Sequence, residues 1–234
     1  MKPFLAFLSA ALLAGCAVST TGGAPARAPG PVVQIPGKGT ASDSFQTVVS
    51  RIQPVAESLC RQRNRSGNCD YRITVDRRAG LPPNAFQTLD ENGRPLIIFT
   101  QSLLDDMSNA NEVAFVMGHE TAHHIAGHIP LKQQNTAAGA ALAGLLAAAA
   151  GGNPDAIKMA QEVGAFAGSR QYSKNYELEA DSLGTIVTYQ AGYDPLRGAQ
   201  YFERMADPGD TFLGTHPPNA DRMRVVRQTM AELP

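Results

Sequence analysis

The chain has 234 residues, 43% of them hydrophobic, with 20 Lys and Arg against 21 Asp and Glu and a formal net charge of -1. That length supplies one well-buried core, and charges of both signs are interspersed, apart from short basic clusters at 61–65 and 77–78 that read as solvated loop charge. No basic face offers itself to nucleic acid, so nucleic-acid binding is excluded.

The N-terminal run MKPFLAFLSAALLAGC carries one Lys, an apolar stretch over 4–13, and then small residues. The stretch is too short to span a hydrocarbon core of about 30 Å, and the pattern predicts a secretory signal at residues 1–15. Its end, Leu13-Ala14-Gly15-Cys16, resembles the lipobox of bacterial lipoproteins, which implies cleavage before Cys16 and acylation there. Ala17 stands where an Asp would favour the inner membrane, so the outer membrane is the expected destination, held by more than one acyl chain. Residues 16–42 are Ala, Pro, Gly, Ser and Thr with few large apolar side chains and read as a lipidated flexible tether. The folded body is expected over 43–234.

Within that body Phe45, Val48, Val49, Ile52 and Leu59 fall at helical spacing, with Pro54 expected to kink or restart the helix. Cys60 and Cys69, nine positions apart, suggest a local disulfide in an exported domain. A zinc site is the alternative there, with no other Cys or His close by. Tyr71, Ile73 and Val75 alternate with polar residues as in a strand, and 84–89 with 95–100 form a hairpin about Glu91-Asn92-Gly93. A helix is expected from Asn109, spaced to Glu112 as in a capping box, to about His128, where Pro130 stops it. The uncharged, Ala-rich segment 133–154 reads as a buried or partner-facing helix, with an interfacial membrane segment as the alternative. Further helices are expected over 173–192, 196–206 and 219–233. Helix, small sheet, then mostly helices is an α+β order.

Four of the five histidines crowd into GHETAHHIAGHIP at 118–130. His119-Glu120-Thr121-Ala122-His123 is H-E-x-x-H: on a helix the i, i+4 spacing stacks both imidazoles on one face for one metal, and Glu120 is placed to take a proton from a water. A third ligand is required. The metzincin pattern would need a glycine at Ala126 and a histidine at Ile129, so it fails. Downstream, ELEAD at 177–181 puts Glu177 and Asp181 on one helical face, where Glu177 closes a zinc site and Asp181 fixes the tautomer of a ligand histidine. Glu179 points the other way. His124 and His128 lie off the ligand face and read as packing or surface residues.

HETAH followed by ELEAD resembles the zinc metallopeptidase family of HtpX and the CAAX prenyl endopeptidases, and within it periplasmic lipoprotein members such as LoiP and BepA. The likeness takes in Asn84-Ala85-Phe86 and Thr215-His216-Pro217-Pro218, so it covers most of 43–234. It implies a mainly helical, gluzincin-like zincin domain with a small β-sheet beside the H-E-x-x-H helix. It also implies one Zn2+ per chain on His119, His123 and Glu177, with Glu120 as the catalytic base and Asp181 behind the ligands. His216 is implied near the zinc, as a gate in the resting enzyme or as an oxyanion donor. QTLDENG after Phe86 departs from the Pro-Gly-Gly turn of relatives. The implied function is a zinc metalloendopeptidase on the periplasmic face of the outer membrane, cleaving misfolded or stalled envelope proteins. Its partners would be polypeptide substrates, the membrane and envelope assembly machinery. The alternative is a zinc-containing chaperone or assembly factor with little proteolysis.

Overall fold

The computed structural model describes residues 38–63, 67–171, 173–206 and 217–234, so the expectations for the leader, Cys16 and His216 lie outside the described residues. α1 (Phe45–Arg63) buries Val48, Ile52, Val55, Ala56 and Leu59 and continues through Pro54 as one helix, with no restart. Three strands follow: β1 (Arg72–Asp76), β2 (Ala85–Leu89) and β3 (Pro95–Thr100), in the spatial order β1-β3-β2. β3 is central, paired in parallel with β1 (Ile73 opposite Ile97) and antiparallel with β2 (Gln87 opposite Ile97). The β2–β3 turn closes on Asp90, whose carboxylate accepts from the backbone of Asn92 and Arg94, while Gly93 takes the left-handed conformation at φ 74°. β2 therefore forms one edge of the sheet.

α2 (Gln101–Asp106) is capped by Thr100 and leads into α3 (Ala110–Ala126). The capping box forms at the start of α3: Asn109 accepts from Asn111, and Glu112 reaches back to the backbone of Ser108. α3 is the centre of the molecule, with α1 and the sheet against one side and α6 (Ser173–Gln190) against the other. Its buried Met117 and Ala122 join Ile52, Tyr71, Ile97 and Phe99 in the main core, while Phe115 packs with Ala199, Phe202, Met223 and Val226 in a second, smaller one. At the α3–α6 crossing, Gly118 and Gly184 bring the two backbones together, and a Cβ on Gly184 would stand 2.8 Å from the His119 nitrogen.

The end of α3 departs from expectation. The helix stops at Gly127, which adopts φ 71°, and α4 (His128–Ala149) begins at the next residue, so Pro130 sits in the first turn of a new helix, where its missing N–H costs nothing. α4 and α5 (Pro154–Gln171) form an antiparallel hairpin whose backbones touch at Gly139, Gly164 and Gly168. The Ala-rich helix is not buried, for Leu142, Leu145 and Leu146 are between 61% and 69% exposed. α7 (Pro195–Ala199), α8 (Tyr201–Arg204) and α9 (Asn219–Glu232) close the fold against α3 and α6. The architecture is a mainly helical α+β domain with a three-stranded sheet beside the H-E-x-x-H helix. No described helix is long and apolar enough to cross a membrane.

Candidate active site

One turn of α3 sets His119 and His123 on the same face, with their Nε2 atoms 3.1 Å apart. The closeness of the glycine crossing lets α6 deliver Glu177 to the same point: Oε2 is 3.4 Å from His119 Nε2, and Oε1 is 3.5 Å from His123 Nε2. Among the described residues this is the one group of three or more potential metal ligands whose donor atoms converge. A tetrahedral zinc with bonds of about 2.0–2.1 Å places its ligand atoms about 3.3 Å apart. The three separations match that spacing, and two imidazoles plus one carboxylate form a donor set suited to a catalytic zinc with an open fourth position.

Behind this cluster stands a buried polar layer. Asp181 is fully buried, with Oδ1 2.8 Å from His119 Nδ1, and Arg222 of α9 grips both its oxygens at 2.8 and 2.7 Å. The Arg222 guanidinium lies 3.6 Å above the centre of the Phe202 ring, so its flat face is covered as well. Burial works against charge on Asp181, but Arg222 and His119 outweigh it and hold the carboxyl below its ordinary range. Burial likewise disfavours a proton on His119, yet the hydrogen bonds to Asp181 and Glu177 raise it to about 10. His123, buried beside that charge, is pushed down to about 3. Glu120 is raised to about 7, mainly by burial, with a hydrogen bond from the backbone of Gln87 acting the other way.

Glu120 and the sheet edge also border the same space. The cleft in front of the cluster, about 520 Å³, is lined by His119, Glu120, His123 and Glu177 on one side and by Ala85, Phe86 and Gln87 of β2 on another. The edge strand thus runs along the same space into which the histidines and Glu120 face.

The family model for Peptidase family M48 matches residues 46–230. The chain belongs to peptidase family M48. Metalloprotease LoiP of Escherichia coli (strain K12) is 31% identical over 195 residues, which are 81% of this chain and 76% of that protein. The putative beta-barrel assembly-enhancing protease of Vibrio cholerae is 34% identical over 137 residues, 53% of this chain and 28% of its own length. Mitochondrial metalloendopeptidase OMA1 of Schizosaccharomyces pombe is 29% identical over 173 residues, 71% of this chain and 49% of its own. The chain thus spans about three quarters of the first relative and half or less of the other two. As an M48 member it is a metalloendopeptidase, a class that acts on polypeptides with a bound metal.

In this M48 domain, the residues singled out in the sequence divide clearly. The structure brings His119, Glu120, His123, Glu177 and Asp181 to one place. Cys60 and Cys69 are bonded to each other, with Cα atoms 5.7 Å apart, away from the cleft. That bond fastens the strand lead-in to the end of α1, and the same lead-in holds α3: the Asn68 carbonyl contacts His124 Nε2 at 2.7 Å, and the Tyr71 hydroxyl donates to the Thr121 carbonyl. His124 therefore packs, as expected. His128 packs as well, buried against Tyr176, but it does more than pack, because its Nδ1 lies 2.8 Å from Nδ1 of His123. Arg222 was missed altogether. No local signal marks it, since nothing in a basic residue 41 positions beyond Asp181 announces a shared pocket.

Proposed function

We propose that this domain is a zinc endopeptidase in which His119, His123 and Glu177 hold the metal and Glu120 is the general base. The observation that carries the reading is the convergence of three donor atoms at tetrahedral spacing beside a carboxylate on the next residue. When bound there, zinc supplies Lewis-acid polarisation of the scissile carbonyl and lowers the pKa of a water. Asp181 accepts from His119 Nδ1–H, which leaves the Nε2 lone pair facing the metal site, and Arg222 balances the buried carboxylate. Glu120 takes a proton from the attacking water and passes it to the departing amide nitrogen. An extended polypeptide adds to the free edge of β2, which aligns its backbone across the cleft by main-chain hydrogen bonds and makes recognition sequence-tolerant.

Unfolded or stalled proteins of the cell envelope are the substrates in this reading, reached from the periplasmic face of the outer membrane through an acylated Cys16 and the tether at 16–42. The similarity to LoiP and to a protease named for beta-barrel assembly supports that choice. A zinc-containing chaperone has no use for Glu120, and the two readings part at that residue. Glu120→Gln is expected to keep stoichiometric zinc and the native circular dichroism spectrum while casein cleavage falls by about 10²-fold or more. Casein cleavage at the wild-type rate in the zinc-loaded variant would remove Glu120 from the mechanism.

A further inference from the structure

We infer that His128 and Glu179 are positioning residues that fix the ring of His123 for the metal through a two-step hydrogen-bond chain. The inference rests on the zinc reading above. His123 turns Nε2 toward His119 and Glu177, at 3.1 and 3.5 Å. A ring that ligates through Nε2 carries its proton on Nδ1, and the group facing that proton is Nδ1 of His128, at 2.8 Å. His128 Nδ1 is then the acceptor, so the proton of His128 lies on Nε2, where Glu179 Oε2 stands at 3.3 Å. One carboxylate thereby sets two tautomers in sequence, Glu179 that of His128 and His128 that of His123.

The surroundings hold this chain in place. His128 is 5% exposed, and its ring stacks on Tyr176 with centroids 4.6 Å apart and planes 20° from parallel. The backbone break explains how it arrives there. In an unbroken helix a residue five positions after His123 points about 140° away from it. Gly127, in the left-handed conformation, ends α3 and lets His128 open α4 with its ring turned back onto the ligand. The two histidine ligands thus receive different support. His119 meets the Asp181 carboxylate directly, whereas His123 meets a carboxylate only through a second imidazole. Ligand orientation by such outer contacts is worth 10- to 100-fold in metal affinity.

The test is zinc affinity of the full-length chain, measured by competition with a chromophoric chelator, together with 15N spectra of the histidine rings in the zinc-loaded protein. His128→Phe keeps a flat ring against Tyr176 but removes the acceptor, and it is expected to weaken zinc binding by about 10- to 100-fold. Glu179→Ala should weaken it as well, while Glu179→Gln, which retains an acceptor oxygen, restores most of the affinity. In the wild-type spectra His123 should be protonated at Nδ1 and His128 at Nε2. His119→Ala and Glu177→Gln serve as controls on the underlying reading. If these controls bind zinc as the wild type does, the metal site itself is wrong. If they lose zinc while His128→Phe and Glu179→Ala retain wild-type affinity, or if His128 carries its proton on Nδ1, the relay is wrong and the site stands. Should His128→Phe fail to fold, Glu179→Ala and the tautomer of His128 still decide the question.

Discussion

Gly184→Ala tests whether the α3–α6 crossing sets the geometry of the metal site. The added methyl would stand 2.8 Å from the backbone nitrogen of His119 and 2.9 Å from its Cα, both on a helix backbone that cannot rotate aside. Ordinary carbon contacts begin at about 3.5 Å, so the helices must part by roughly 0.6–1 Å. Overpacking of that kind costs about 1–3 kcal/mol, whereas replacing a mid-helix Gly by Ala returns about 1 kcal/mol in helix propensity. The net loss of stability is therefore expected to be modest, about 0–2 kcal/mol. Function should suffer more. Glu177 lies two turns from Gly184 on the same face of α6, and its carboxylate now stands 3.4 and 3.5 Å from the two histidines. Moving it by most of an ångström takes one donor away from the proposed metal site and pulls Asp181 from His119. Zinc affinity should fall by about 10- to 100-fold, read by chelator competition, while urea unfolding of the metal-free protein reports the stability term separately. A variant that is destabilised yet binds zinc with wild-type affinity would refute the idea that this crossing positions the ligands.

Proton linkage offers a second check: in the metal-free protein His119 titrates at about 10, so zinc must displace a proton near neutral pH, and affinity should rise about tenfold per pH unit between 7.5 and 9. Calorimetry in buffers of different ionisation enthalpy should count about one proton released per chain at pH 8; release of none would contradict the His119–Asp181–Glu177 arrangement. The same shift has a stability sign. A histidine raised from 6.5 to about 10 and a Glu120 raised from 4.5 to about 7 both favour the protonated fold, so their contribution is lost as pH climbs, and the metal-free protein should melt at a lower temperature at pH 9.5 than at pH 6.5. Replacing both Cys60 and Cys69 by Ala opens a loop of about 10 residues and should cost about 2.7 kcal/mol in urea unfolding on the chain-entropy account; a loss below about 1 kcal/mol would show that the bond restrains little.

The legible parts of the molecule were those written in local patterns. Asn109 with Glu112 marked the start of α3, the alternation at 71–75 marked a strand, and the spacings in HETAH and ELEAD put five side chains on two helical faces that the fold brings together. Pro130 was misjudged because proline both ends helices and opens them, and only the backbone of Gly127 decides which. α5 escaped notice for another reason. Its contact with α4 runs through Gly164 and Gly168, so the two helices meet by small residues, and its large apolar side chains Met159, Val163 and Phe166 stay exposed rather than marking the packed face. His128 was set aside for being off the ligand face of one continuous helix, and the premise failed at the break.

Arg222 is the deeper case, because the need for it could be argued while its position could not. A carboxylate placed against a ligand histidine on the buried side of a helix is costly unless a cation meets it. Within four residues of Asp181 on α6 there is no Lys or Arg, so the partner had to come from elsewhere among the 20 basic residues of the chain. Local periodicity carries no address for a contact that closes over 41 positions. The requirement also shows why α9 belongs to the site. With the guanidinium on both oxygens of Asp181 and against the Phe202 ring, the last helix locks the element that carries Glu177 onto the element that carries His119. Arg222→Met should accordingly loosen zinc binding and stability together, since it leaves Asp181 buried and unpaired, a condition that costs about 3–5 kcal/mol when one partner of a buried pair is removed. Asp181→Asn in the same background removes the orphaned charge, and should restore stability but not zinc affinity, because an amide oxygen is a weaker acceptor for His119 than a carboxylate. If the double variant regained neither, the pair would be acting through packing alone and the electrostatic account of this layer would fall.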